Sequence, residues 1–330
     1  MTTRYTRLRF LGALIAFAGA VLVPSLCVGE TKPATALATG KQSKTVRLLT
    51  VGNSFSGNAT EYLGKIAQAA GNVLVHRSAS IGGGTMAQHW AKVEQYEKEP
   101  QDPRGLYASK RSLKQELQAE PWDIVTIQQA SIVSHDLSTY RPFAAQLRDY
   151  IKKFAPQAEV VVHQTWAYRR DDPRFTKPSS APGQPATQQA MHEGLTKAYE
   201  TIAAELGARI IPTGDAFQLA NTDPAWSYQP DPKFDLKNAQ PPALPDQTHS
   251  LNVGYQWKKG TDGKTTLTMD GHHASAAGKY LAACVWYELL FNESVAGNSF
   301  VPKEISADDA RYLQKAAHQA VEKRHEKRAP

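Results

Sequence analysis

Cysteine is nearly absent from the 330 residues: Cys27 and Cys284 are the only two. If an N-terminal segment is removed after Cys27, Cys284 stands alone, which excludes an internal disulfide and a cysteine-based metal site. Paired cysteines and a His-Glu-x-x-His helix are both missing, so no established zinc pattern is present. The phosphate-cradling pattern Gly-x-x-x-x-Gly-Lys-Ser/Thr is missing too, which argues against phosphoryl transfer. Neither a metal nor any other cofactor is expected. The formal charge of +7 would suit an anionic partner. However, its excess lies at the chain ends, in Arg4, Arg7 and Arg9 and in the run 323–328. No basic stripe interleaved with aromatics occurs mid-chain, which excludes nucleic acid as the expected partner.

The N-terminus reads as a targeting segment. A basic start is followed by an apolar run over 10–23, then by Pro24 and small residues, as in a secretory signal peptide spanning 1–29. The run is shorter than the ~20 residues that span a bilayer. The expectation is therefore export to a periplasmic or extracellular location, with no stable membrane insertion after cleavage. Leu26 directly before Cys27 argues against lipid attachment there. Residues 30–44 are small and polar and read as a linker, leaving 45–330 as the folded domain.

Within that domain, short β-rich runs alternate with helical patterns. Strands are expected over 46–51, 72–81, 122–127, 159–163 and 209–212. Helices are expected over 58–70, 113–117, 143–154, 188–206, 280–291 and 308–324. This rhythm predicts βαβ units around a parallel sheet covered on both faces. It is broken by two loops rich in Pro and Asp, 169–187 and 222–246. A hairpin pairing 251–258 with 264–269 follows the second, so a loop and hairpin insertion is expected at about 218–268. Loops this long are commonly functional.

Three fragments at strand ends carry chemistry. Gly52-Asn53-Ser54 lies where the first strand meets a helix, and open parallel sheets bind ligands outside their carboxyl ends. Free N–H groups at a helix start can stabilise an oxyanion, so Ser54 is placed as a nucleophile. Asp270-Gly271-His272-His273 supplies an acid and a base. Asp270 and His273, three apart on one turn, could face a common cleft, and His272 is the alternative base. Gly82-Gly83-Gly84 and Gln128-Gln129, after the second and third strands, offer oxyanion donors.

Together these blocks resemble the four conserved blocks of SGNH/GDSL hydrolases. Several strings are similar to the DUF4886 branch of that superfamily: LLTVGNSFS (48–56), IGGGTMAQHW (81–90), WDIVTIQQAS (122–131), HQTWAY (163–168) and DGHHASAAGKYLAACVWYELL (270–290). The resemblance implies a three-layer α/β/α sandwich with a five-stranded flavodoxin-like sheet and metal-free ester hydrolysis. It implies Ser54 as nucleophile, His273 as base and Asp270 as its partner. It also implies an oxyanion hole of Ser54 N–H, Gly83 N–H and the Gln129 amide, with Gln128 as the alternative. Asn53 stands where many members have Asp, Phe55 where they have Leu, and Gln128-Gln129 where they have Gly-x-Asn.

Asn53, Gln128, His163 and Trp166 are further candidates for substrate binding. His89 and Trp90, on a helical stretch, read as structural. Trp226, Tyr228, Tyr255 and Trp257 suit either sugar stacking or an inserted mini-core. The expected substrate is a small-molecule or glycan ester, with O-acetyl on a carbohydrate foremost. A lipid or thioester acyl hydrolase and a non-catalytic carbohydrate-binding protein are the alternatives.

Overall fold

A computed structural model describes residues 42–176 and 183–326. The expected signal peptide and most of the expected linker lie outside the described residues. Five parallel strands, β1 (Thr45–Gly52), β2 (Val73–Ser80), β3 (Ile124–Ile127), β4 (Glu159–His163) and β5 (Arg209–Ile211), form one sheet in the order β2-β1-β3-β4-β5. Leu48, Leu49, Thr50 and Val51 are all buried in succession, as a strand covered on both faces requires.

The helices are α1 (Ser54–Thr60), α2 (Leu63–Ala69), α3 (Met86–Lys98), α4 (Leu113–Leu117), α5 (Phe143–Phe154), α6 (Pro173–Thr176), α7 (Gln188–Leu206), α8 (Thr213–Thr222), α9 (Ala276–Phe291) and α10 (Ala307–Glu326). α1, α2, α8 and α10 pack on α9, while α3, α4, α5 and α7 pack against one another on the opposite face. The result is the α/β/α sandwich expected from the alternation. α9 lies between the sheet and α10 and is buried from Tyr280 through Phe291, which explains its lack of a polar stripe. No helix among the described residues is long and apolar enough to cross a membrane.

Two expected elements differ. The helix read over 58–70 starts at Ser54, because Asn53 caps it by accepting the Phe55 N–H at 2.9 Å. It then breaks before α2, at Glu61 and Tyr62. In addition, the insertion expected from about 218 would begin inside a helix, since α8 runs to Thr222 with Ala216, Phe217 and Ala220 buried; the second long loop, expected over 222–246, follows that helix.

The loop leads into an antiparallel hairpin, β6 (Asn252–Lys259) and β7 (Thr265–Ala274). Arg169 ties this region to the sheet. Its guanidinium, almost fully buried, pairs with Asp171 at 2.7 and 3.0 Å and donates to Gln247 Oε1 at 2.7 Å. Gly254, at φ +74°, passes so close that a Cβ would lie 2.1 Å from Arg169 Nη1.

Candidate active site

Ser54 stands at the carboxyl end of β1, in the first turn of α1. The chain must turn sharply here against β3: a Cβ on Gly52 would meet Ser56 Oγ at 2.2 Å and Gln128 Oε1 at 2.8 Å, so only glycine fits. His89 holds the same corner from α3. Its Nε2 lies 3.0 Å from the Gly52 carbonyl and its Nδ1 2.9 Å from the Tyr107 hydroxyl. Burial pushes the His89 pKa down to about 4, keeping the ring neutral.

Asp270 and His273 come from β7, not from a helical turn. β7 spends four steps, Asp270 to Ala274, opposite two steps of β6, Asn252 to Gly254. The excess bulges outward, and Asp270 Oδ1 caps the bulge by accepting the His273 N–H at 3.0 Å. This is how two residues three apart on a strand come to face one another. The bulge is held from below by Trp166 Nε1, which donates to the His272 carbonyl at 2.9 Å. It is joined to α1 by Asn58 Oδ1, which accepts the Ala274 N–H at 2.9 Å.

The side chains then form a line. Asp270 Oδ2 lies 2.9 Å from His273 Nδ1, and His273 Nε2 lies 2.9 Å from Ser54 Oγ. A carboxylate only accepts, so Nδ1 carries the proton and the Nε2 lone pair faces the serine hydroxyl. Burial pushes the Asp270 pKa up. Hydrogen bonds from His272, His273 and the His273 backbone outweigh it and hold the carboxyl far below its usual range. His272 donates from Nδ1 to Asp270 Oδ1 at 2.9 Å, with Arg174 Nη2 lying 3.0 Å from the same nitrogen, leaving His273 as the ring aimed at Ser54. Ligand atoms of Asp270, His272 and His273 lie within 4.8 Å of one another, close enough to hold a cation. Here they are hydrogen-bonded among themselves.

Gly83 faces Ser54 across a cleft of about 330 Å³. Its φ of +63° is the left-handed conformation that glycine adopts freely. Among the described residues neither the Ser54 N–H nor the Gly83 N–H has an acceptor, so both are open to a ligand. Asn53 also lines the cleft, but its side chain points inward: Nδ2 donates to the Gly84 carbonyl at 3.0 Å.

Four expected site residues are elsewhere. Gln129 Oε1 accepts the Met86 and Ala130 N–H groups at 3.1 and 2.8 Å, which forces its Nε2 onto the Thr139 carbonyl at 2.8 Å. Its amide is therefore turned away from the oxyanion position. Gln128 Nε2 donates to Asn53 Oδ1 at 2.7 Å, and its Oε1 accepts from Ser56 and from His163 Nδ1. His163 and Trp166 are both 0% exposed. Burial pushes the His163 pKa down to about 3, and Trp166 stacks between Phe55 and Phe217 with ring centroids at 4.3 and 4.6 Å. None of these four can touch a substrate, because each fills the layer beneath the cleft. Trp226 and Tyr228 are likewise buried, the former stacked between His249 and Tyr312.

The cleft instead includes Ser131, Tyr168 and Arg174, which the sequence pattern did not single out. Arg174 belongs to the loop read only as rich in Pro and Asp, and no periodicity marks it. A larger cavity, about 510 Å³ beside Glu200 and Arg324, contains no nucleophile.

The family model of DUF4886, a domain of unknown function, matches residues 47–226 and 255–320. The chain belongs to the DUF4886 family. The stretch between the two matched segments covers most of the long loop and the first residues of β6. No curated protein sequence matches the chain. A DUF4886 family protein from Bacteroides uniformis superposes with a TM-score of 0.63 at 24% identity, covering 84% of this chain and 95% of that one, which shows a shared fold. A candidate SGNH hydrolase from Slackia heliotrinireducens gives a TM-score of 0.45 at 21% identity, covering 74% and 98%. A candidate GDSL-like lipase from Parabacteroides merdae gives 0.43 at 15%, covering 76% and 98%. The last two overlays are too loose to carry an argument about this DUF4886 protein.

Proposed function

We propose that this DUF4886 protein is an exported serine esterase that removes a short acyl group, O-acetyl on a carbohydrate, through an acyl-enzyme. One observation carries the reading: Ser54 Oγ, His273 and Asp270 are joined by two hydrogen bonds of 2.9 Å beside two open backbone N–H groups. His273 Nε2 takes the hydroxyl proton as Ser54 Oγ attacks the ester carbonyl. Negative charge growing on the carbonyl oxygen meets the Ser54 and Gly83 N–H groups. The ester C–O bond breaks, and the alcohol leaves with the proton from His273. Water, deprotonated by the same ring, then releases the acid from Ser54. Asp270, anionic throughout, holds the ring's tautomer and balances the imidazolium. A short acyl group is favoured because the cleft is at the small end for ligand sites. Export rests on the basic start and apolar run of the N-terminal sequence.

The test is hydrolysis of p-nitrophenyl acetate by the full chain, with and without chelator. Turnover should survive the chelator. Ser54→Ala should lower kcat by several orders of magnitude, and Asp270→Asn by about 10⁴-fold, with KM little changed. Retention of most activity by Ser54→Ala would overturn the assignment.

A further inference from the structure

We propose that Arg174 makes this cleft selective for esters whose alcohol portion carries an anionic group, an O-acylated sugar acid being the substrate class that fits. This rests on the esterase reading above and concerns the same site. Arg174 and Ser54 line one cleft of about 330 Å³, so a molecule whose ester sits at Ser54 lies within reach of the guanidinium. Among the described residues lining that cleft there is no carboxylate. Among those described residues Arg174 supplies the one permanent charge, beside two histidines. The remaining polar groups include the open Ser54 and Gly83 N–H groups and the Ser131 and Tyr168 hydroxyls, paired at 3.0 Å. The lining is rich in donors and suits a ligand rich in acceptors.

The guanidinium is fixed in place before any ligand arrives. Asp172, only 2% exposed, receives Nε at 2.8 Å and Nη2 at 2.6 Å, and the Arg174 plane lies 3.9 Å over the Tyr168 ring. Nη2 also lies 3.0 Å from His272 Nδ1, whose proton is directed to Asp270. Of the five guanidinium hydrogens, the two on Nη1 have no partner among the described residues, and the side chain is 40% exposed.

The catalytic strand itself sets this position. Gly271, between Asp270 and His272, has no room for a side chain because a Cβ would lie 2.3 Å from Asp172 Oδ2. The Arg169 N–H donates to the Gly271 carbonyl at 2.8 Å. The strand that presents the base thus packs directly against the carboxylate that holds the cation. A preformed guanidinium forms charge-assisted hydrogen bonds with carboxylates more strongly than neutral donors do.

The experiment compares mono-O-acetylated methyl glucuronoside with mono-O-acetylated methyl glucoside on the full chain. The readout is the ratio of the two kcat/KM values, which cancels any loss common to both substrates. The wild type should favour the glucuronoside by about tenfold or more, the scale of one charge-assisted hydrogen bond. Salt should narrow the ratio. Arg174→Gln should bring the ratio close to one, and Arg174→Lys should restore part of it. A wild-type ratio near one, or a ratio that Arg174→Gln leaves unchanged, overturns the proposal and leaves Arg174 as the partner of Asp172.

If the wild type turns over neither sugar ester nor p-nitrophenyl acetate, the esterase reading fails by itself. Calorimetry with methyl glucuronoside and methyl glucoside then decides the anion site. Tighter binding of the glucuronoside, abolished by Arg174→Gln, upholds it, and equal binding rejects it.

Discussion

Gln128 Nε2 donates to Asn53 Oδ1 across 2.7 Å, so an amide expected at the substrate instead clamps the end of β3 to the cap of the nucleophile helix. Asn53 Oδ1 also accepts the Phe55 N–H, and its Nδ2 holds the Gly84 carbonyl. One side chain thereby couples α1, β3 and the glycine turn. Asn53→Ala should lose about 2–4 kcal/mol, from the cap and from buried partners left unpaired. It should also lower kcat about tenfold or more, because the Gly83 N–H loses its support. Urea denaturation and p-nitrophenyl acetate kinetics on the same preparation check both effects.

Gln129 and Gly83 make opposite predictions. Gln129 sits between two backbone N–H groups and the Thr139 carbonyl, so Gln129→Ala should reduce stability by about 1–3 kcal/mol while kcat falls only a few-fold. At Gly83 a Cβ would meet nothing within 4 Å, but φ is +63°. Gly83→Ala therefore strains the backbone by about 1–2 kcal/mol. If the turn relaxes, the N–H leaves the oxyanion position and kcat drops, by about 10²-fold or more if the donor is lost. Steady-state kinetics of the two variants should rank them in that order.

Acid should destabilise the fold through two buried histidines. The pKa of His89 is lowered to about 4 and that of His163 to about 3, both chiefly by burial, against roughly 6.5 in an unfolded chain. Above pH 6.5 both rings are neutral in either state. As pH falls below that value the unfolded chain binds protons that the native state refuses, so stability is lost down to about pH 4 for His89 and about pH 3 for His163. Each ring contributes a slope of about 1.4 kcal/mol per pH unit. Denaturation midpoints between pH 7 and 4 should fall, and less steeply in His163→Gln. Equal slopes for wild type and variant would contradict this assignment.

Arg169 anchors the loop before β6. Removing it leaves Asp171 without its ion pair and leaves Gln247 Oε1 with the Tyr255 N–H as its remaining donor, and losing one partner of a buried pair costs about 3–5 kcal/mol. Arg169→Met should show that loss in denaturant. Limited proteolysis should cut first within 223–251, the segment held by this contact.

The strands and most helices were legible because burial on both sheet faces demands continuous apolar runs, and helices facing the sheet demand a periodic stripe. Ser54, Gly83, Asp270 and His273 were legible because each stands in a local string whose chemistry recurs. The break between α1 and α2 was not, since neither proline nor glycine stands at Glu61 or Tyr62 to mark it. The Gln128 and Gln129 amides, His163 and Trp166 were misplaced for a related reason. A residue following a parallel strand lies near the catalytic rim, but sequence does not tell whether its side chain points into the cleft or beneath it.

By itself the sequence determined the order of strands and helices, and it brought a serine, a glycine turn and an Asp-x-x-His string to successive chain segments. Only the tertiary structure decided that a bulge in β7 turns Asp270 and His273 toward Ser54, that the two glutamine amides face inward, and that Arg174 enters the cleft. Each of those outcomes depends on contacts between residues tens to hundreds of positions apart, where packing and hydrogen-bond pairing choose among side-chain directions that local sequence leaves equally open.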